Sequence, residues 1–158
     1  LKIPTFEELL LMIKSHEDLL MSVEIKEEPN DIACVDATIA MTNDFGVTDR
    51  CVFTSFNSDV TRHVYDKYRL PNLGYRKDYM SNFQPGDEAK LWSVGIPMDD
   101  VTTEHIDEWK AKDIWPCAFC ADTSKQVELS LASGAAMITC NDPLAALHIV
   151  KSRGLRQA

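Results

Sequence analysis

Leu20-Met-Ser-Val-Glu-Ile-Lys26 alternates apolar with polar side chains. Met21, Val23 and Ile25 fall on one side and Ser22, Glu24 and Lys26 on the other, which is the period of a β-strand. Helical patterns flank it. Before it, Thr5-Phe-Glu-Glu8 reads as a capping box, and Phe6, Leu9, Leu10 and Ile13 recur on one face of a helix that runs to about Ser15. After it, Pro29-Asn30-Asp31 opens a helix with Ile32, Val35 and Ile39 on one stripe, and Gly46 is its stop.

The same cycle repeats along the chain. Arg50 to Phe56 is rich in β formers, and Asn57 or Ser58 then caps a helix carrying Val60, Val64 and Tyr68. Pro71 to Tyr75 is a short strand, 77–90 a polar loop around Pro85-Gly86, and Leu91 to Ile96 another short strand. Thr102 or Thr103 starts a helix with Ile106 and Trp109. Trp115 to Ala121 is a strand, Thr123-Ser-Lys-Gln126 a second capping box, and Gly134 the end of that helix. Ala135 to Thr139 is a strand. Asp142-Pro143 sets a cap and then Pro at the first helical position of a helix with Leu144, Leu147 and Val150, ending near Gly154.

Strands alternating with helices predict βα units and a parallel sheet. Two closures fit this order, a doubly wound sheet or a (β/α) barrel. Six glycines with no GxGxxG and no P-loop argue against the dinucleotide-binding version. The length, 158 residues, suits one compact domain, and 45% apolar with 26% charged residues exclude a disordered chain. A net charge of −9 argues against broad nucleic-acid binding. No apolar run is long enough for a membrane span. The five cysteines, at 34, 51, 117, 120 and 140, read as reduced, buried thiols. Cys117-Ala-Phe-Cys120 lies inside an expected strand rather than at a strand-to-helix turn, so ordinary core thiols are expected there, not a redox pair. The chain is placed in the cytoplasm, with no signal peptide visible.

Charged side chains inside a parallel strand are unusual, because such strands are generally buried on both faces. Glu24 and Lys26 point the same way at their strand's C-terminal end, which in a (β/α) barrel is the active face. Either the two pair with each other, or Glu24 binds a metal while Lys26 meets an anion. An edge strand with a solvated charged face is the alternative.

Ile3-Pro-Thr-Phe-Glu-Glu-Leu-Leu10, Val23-Glu-Ile-Lys26 and Val52-Phe-Thr-Ser-Phe-Asn57 together resemble the glycerophosphodiester phosphodiesterases, with their P-T-L-E-E helix, E-I-K strand and strand ending S-F. Gly134-Ala-Ala-Met-Ile-Thr-Cys-Asn-Asp-Pro143 resembles that family's last strand. The resemblance implies a (β/α)8 TIM barrel, of which residues 1–158 are the C-terminal portion, covering strands four to eight and their helices. These five strands are expected as an open half-barrel. The rest of the ring would come from a missing N-terminal half or from a second copy in a homo-oligomer. It implies a metal-dependent hydrolase of lipid-derived diesters, cleaving glycerophosphodiesters to glycerol 3-phosphate and an alcohol. Glu24 would ligate a divalent metal, Mg²⁺ or Ca²⁺, and Lys26 would meet the substrate phosphate. Phe119 and Trp92 are expected to line the substrate mouth.

The family's H-R-G, acidic-pair and H-D motifs are absent, so no catalytic acid or base is expected in this chain. His16, His63, His105 and His148 all read as helix or helix-end positions. The family's W-T-V-N strand reads Ala118-Phe-Cys-Ala121 here. A catalytically inactive barrel relative acting as a binding or regulatory module is the alternative function.

Overall fold

In a computed structural model, residues 2–155 are described. Helix α1 (Phe6–Lys14) leads to β1 (Met21–Glu24), α2 (Asp31–Phe45), β2 (Cys51–Thr54) and α3 (Ser58–His63), which continues as a π-helical turn over Val64–Tyr68. Then come β3 (Asn72–Tyr75), β4 (Ser93–Pro97), α4 (Thr103–Lys110), β5 (Trp115–Phe119), α5 (Ser124–Ala132), β6 (Met137–Ile138) and α6 (Pro143–Ser152). Both capping boxes form: Thr5 Oγ1 accepts from the Glu8 amide at 3.2 Å while Glu8 accepts from the Thr5 amide at 2.8 Å, and Thr123 and Gln126 repeat the arrangement.

The six strands are all parallel and lie in sequence order, β1 to β6. A doubly wound sheet reverses its strand order at a switch point. Here the winding never reverses, so the sheet curls one way as a half-barrel. The expected count of five strands is corrected to six among the described residues. The shortfall lay in fitting the chain to strands four to eight, although six β-like segments stand in the sequence.

The ladder register sorts the side chains. Met21, Val23 and Ile25 of the first strand, with Cys51 and Phe53 of β2, pack against Leu10, Val35 and Ile39 of the helices. Val94, Ile96 and Ala118 do the same against Ile106 and Trp109. The alternate positions, Glu24, Thr54, Tyr75 and Phe119 among them, therefore face the concave side.

Between β3 and β4 no α-helix forms. Residues 77–90 make two 3₁₀ turns, Lys77–Tyr79 and Glu88–Lys90, and Met80 and Leu91 do the packing a helix would do. They sit so close to Gly74 that a Cβ there would be 2.7 Å from Leu91 Cδ2. Buried Asn72 fixes the loop's return, donating to the Lys90 carbonyl at 3.0 Å and accepting from the Trp92 amide at 3.3 Å.

Three expectations are corrected by packing. On α6 the buried residue is Ile149, while Leu144 is 75% and Leu147 37% exposed. Cys34 and Cys120 are exposed, and only Cys51 and Cys117 are buried. Strand β5 ends at Phe119, so Cys120 stands just past it. No helix among the described residues is long and apolar enough to cross a membrane.

Candidate functional site

Glu24 closes β1, and Lys26 follows two residues later on the same concave side. Their position is held by backbone and side-chain bonds to β2. The Ile25 amide donates to the Thr54 carbonyl at 2.8 Å, and the fully buried Ser55 hydroxyl donates to the Ile25 carbonyl at 2.8 Å. Further out, Asn57 Nδ2 donates to Asp31 Oδ2 at 2.6 Å, tying the start of α2 to the end of β2.

The two charges pair with each other. Lys26 Nζ lies 2.6 Å from Glu24 Oε1, with side chains 73% and 36% exposed. Of the readings the sequence left open, the pair on an edge strand is the one seen: β1 is the edge of the described sheet, and its charged face is solvated. An ion pair this exposed contributes about 0–1 kcal/mol to stability. Lys26 can therefore turn to an incoming anion at small cost to the fold.

Beside this pair the concave wall is aromatic. Phe56 stacks on Tyr75 with ring centroids 3.8 Å apart and planes 7° apart, and Phe119 meets Tyr75 edge-on at 5.1 Å. The Tyr75 ring lies over Gly95, where any Cβ would collide with it. Burial pushes the Tyr75 phenol up, and the Glu24 charge adds to the effect. The phenol consequently stays protonated, a hydrogen-bond donor, at neutral pH. Thr54 stands in register with Glu24 on the same concave side.

Of the expected mouth residues, Phe119 stands at the C-terminal end of β5 as anticipated. Trp92 does not. Strand β4 starts at Ser93, so Trp92 sits before it, at the opposite rim of the sheet, 6.2 Å from the Trp115 ring that opens β5. The structure brings together Glu24, Lys26 and the Phe119 wall and leaves Trp92 outside. Thr54, Phe56 and Tyr75 were missed. The alternation Val52, Thr54, Phe56 could have flagged two of them, whereas Tyr75 needed the register between β2 and β3.

The histidines lie away from this face. His63 Nε2 bonds Asp36 at 2.6 Å between α2 and α3. His105 Nδ1 bonds the Asp100 carbonyl at 2.7 Å. It borders a cavity of about 340 Å³ with Arg76, Glu88, Glu108 and Trp109, on the helix side of the sheet. His16 and His148 are exposed on α1's end and on α6.

A magnesium or calcium ion takes six or more oxygen ligands, several from the protein. Among the described residues no three His, Cys, Asp or Glu side chains come together to hold a metal, and Glu24 offers a single carboxylate. These residues alone do not make a metal centre.

The Cys117–Cys120 pair is not poised for redox chemistry. Burial pushes the Cys117 thiol up to about 12, far from the thiolate character a reactive cysteine needs. Timed alkylation at pH 8 followed by peptide mass spectrometry should label exposed Cys34 and Cys120 well before Cys117. Rapid labelling of Cys117 in the folded chain would reverse that reading.

Many solved structures share this architecture, among them the following. A Silicibacter pomeroyi protein described as a candidate glycerophosphoryl diester phosphodiesterase superposes with a TM-score of 0.82 at 20% identity, over 98% of this chain and 58% of its own. A glycerophosphodiester phosphodiesterase from Parabacteroides distasonis gives 0.80 at 17%, over 96% and 65%. A phosphodiesterase from Oleispira antarctica, in complex with the product sn-glycerol-3-phosphate, gives 0.80 at 16%, over 94% and 62%. The fold is that of the glycerophosphodiester phosphodiesterases. The chain spans less than two thirds of each of these neighbours. No family model and no curated protein sequence matches it. On the glycerophosphodiester phosphodiesterase fold, the ends of β1, β2, β3 and β5 that carry Glu24, Thr54, Tyr75 and Phe119 form one side of the barrel's C-terminal mouth.

Proposed function

We propose that this chain is part of a phosphoric diester hydrolase acting on glycerophosphodiesters. The observation that carries the reading is the shared fold together with a carboxylate and an ammonium side by side at the C-terminal end of β1, where barrel chemistry takes place. In this reading Lys26 swings from Glu24 to the substrate phosphate and neutralises its charge as it builds in the transition state. Glu24 holds the ammonium in place before substrate arrives and offers one ligand to a divalent ion, Mg²⁺ or Ca²⁺. Phe119 walls the mouth and keeps water from that side.

The proton transfers need groups beyond the described residues. All four histidines lie elsewhere, and among the described residues no three His, Cys, Asp or Glu side chains come together. The purified 158-residue chain should therefore show no turnover of glycerophosphodiesters with Mg²⁺ or Ca²⁺, while a protein carrying this chain in a closed ring of eight strands should hydrolyse them. Robust turnover by the monomeric chain would require a base not identified among these residues. Absence of turnover in the closed-ring protein would favour the second reading, an inactive barrel used as a binding or regulatory module. That second reading draws its support from the missing histidines.

A further inference from the structure

Trp92 and Trp115 form an aromatic pair at the N-terminal rim, 36% and 53% exposed, with ring centroids 6.2 Å apart and planes 30° apart. Indoles are residues that proteins bury or place at interfaces, so two exposed side by side need a reason. The open edges of the sheet do not supply it. Further strands would join at β1 and β6, whereas these rings stand just before β4 and at the start of β5, within the sheet. Trp115 also walls a cavity of about 240 Å³, lined by apolar Ile114 and Pro116 and by charged Lys110 and Asp113. Both charged residues are exposed, and no ion pair among the described residues engages either. Lys110 ends α4, with its ammonium against Gly134, while Asp113 has left the helix at φ 61. Three positions apart, the two are not joined to each other.

We propose that this rim is a self-association surface whose occupant is the same rim of a second copy of this chain. A two-fold contact is isologous: where residue i meets residue j, residue j also meets residue i. A patch suited to it carries its own complement. This one does, with one cation and one anion, both unengaged, beside an apolar pair. Across the two-fold axis Lys110 of each copy faces Asp113 of the other, and the indoles fill the centre. The chain's net charge of −9 works against an acidic partner or an anionic membrane, whereas a patch with one charge of each sign lets two copies approach. The contact is small, so the dimer is weak, with a Kd on the order of 100 μM. The proposal stands apart from the phosphodiesterase reading, because this rim is the end of the sheet away from Glu24 and Lys26.

The test is sedimentation equilibrium of the purified chain over concentrations spanning that Kd. The average mass should rise from 17.8 kDa toward twice that value. Lys110→Glu and Asp113→Lys should each raise the Kd by about 10-fold or more, because each sets like charges against each other twice in the dimer. They change the net charge in opposite directions, so repulsion between whole chains cannot weaken both. The double variant Lys110→Glu/Asp113→Lys should restore the Kd to within about 3-fold of the wild type, since the pairs re-form with their signs exchanged. Trp115→Ala should also raise the Kd by about 10-fold, as the loss of a central indole does. Leu144→Glu, on the exposed face of α6, should leave it unchanged. Lys110 and Asp113 lie on the surface, so the charge variants keep the fold, and a melting curve on each checks this. A mass that stays at the monomer value at every concentration overturns the proposal. So does a dimer that survives Trp115→Ala but is lost in Leu144→Glu, which would place the contact at the open edge. Single charge variants that weaken the dimer without recovery in the double variant overturn it as well, and leave the rim to a different partner.

Discussion

Lys26→Met lowers kcat/KM for glycerophosphodiesters by about 100-fold or more in the closed-barrel protein, with little change in stability. The first half follows from charge: a preorganised donor aimed at developing negative charge is worth about 2.7–4 kcal/mol in the transition state. Methionine keeps much of the side chain's length and removes only the ammonium. The second half follows from exposure. Lys26 is 73% exposed and its bond to Glu24 is a surface ion pair, so its loss costs at most about 1 kcal/mol of folding free energy. Steady-state kinetics and a melting curve on the same preparation separate the two. Full activity in the variant would reduce Lys26 to the solvated neighbour of Glu24, which is the edge-strand alternative.

The second large effect is structural. Arg62 on α3 holds Asp87 with two parallel bonds of 2.8 Å, Nε to Oδ1 and Nη2 to Oδ2, and also reaches Asp59 at 2.7 Å. The Asp87 side chain is 6% exposed. Arg62→Met leaves that carboxylate buried without its cation and should cost about 3 kcal/mol, the low end for breaking a buried pair because Arg62 retains some contact with water. The loop 77–90 would loosen with it, since this clamp anchors the segment that replaces a helix between β3 and β4. Chemical denaturation measures the loss, and the double variant Arg62→Met/Asp87→Asn should recover part of it. A loss below about 1 kcal/mol would show that the clamp is redundant.

The same clamp sets a pH dependence. The bonds from Arg62 hold the Asp87 carboxyl below the usual carboxylate range. A carboxyl lowered in the folded state contributes stability that is complete above its unfolded value, about 4. That contribution is lost as pH falls through the lower, folded value. The wild type should therefore weaken on acidification more steeply than Asp87→Asn.

Local sequence was enough for the elements and for half of the site. Thr5 with Glu8, Thr123 with Gln126, and Pro143 after Asp142 mark helix starts through bonds that span only two to four residues. The alternation of Met21 to Lys26 put Glu24 and Lys26 on one side because a strand's period is geometric and owes nothing to distant contacts. What these patterns lack is register and closure. Trp92 is expected at the mouth, yet it precedes β4, whose first residue is Ser93, and so stands at that strand's N-terminal rim. Leu144 looks like core from its spacing, yet burial is decided by what stands opposite, and Ile149 received the contact. Thr54 and Tyr75 are 21 positions apart in sequence, and only the β2–β3 ladder, with Thr54 opposite Leu73, brings their hydroxyls together. The one-directional winding of the six strands likewise follows from which edge each strand joins. That choice is made by non-local backbone pairing, which no run of side chains records.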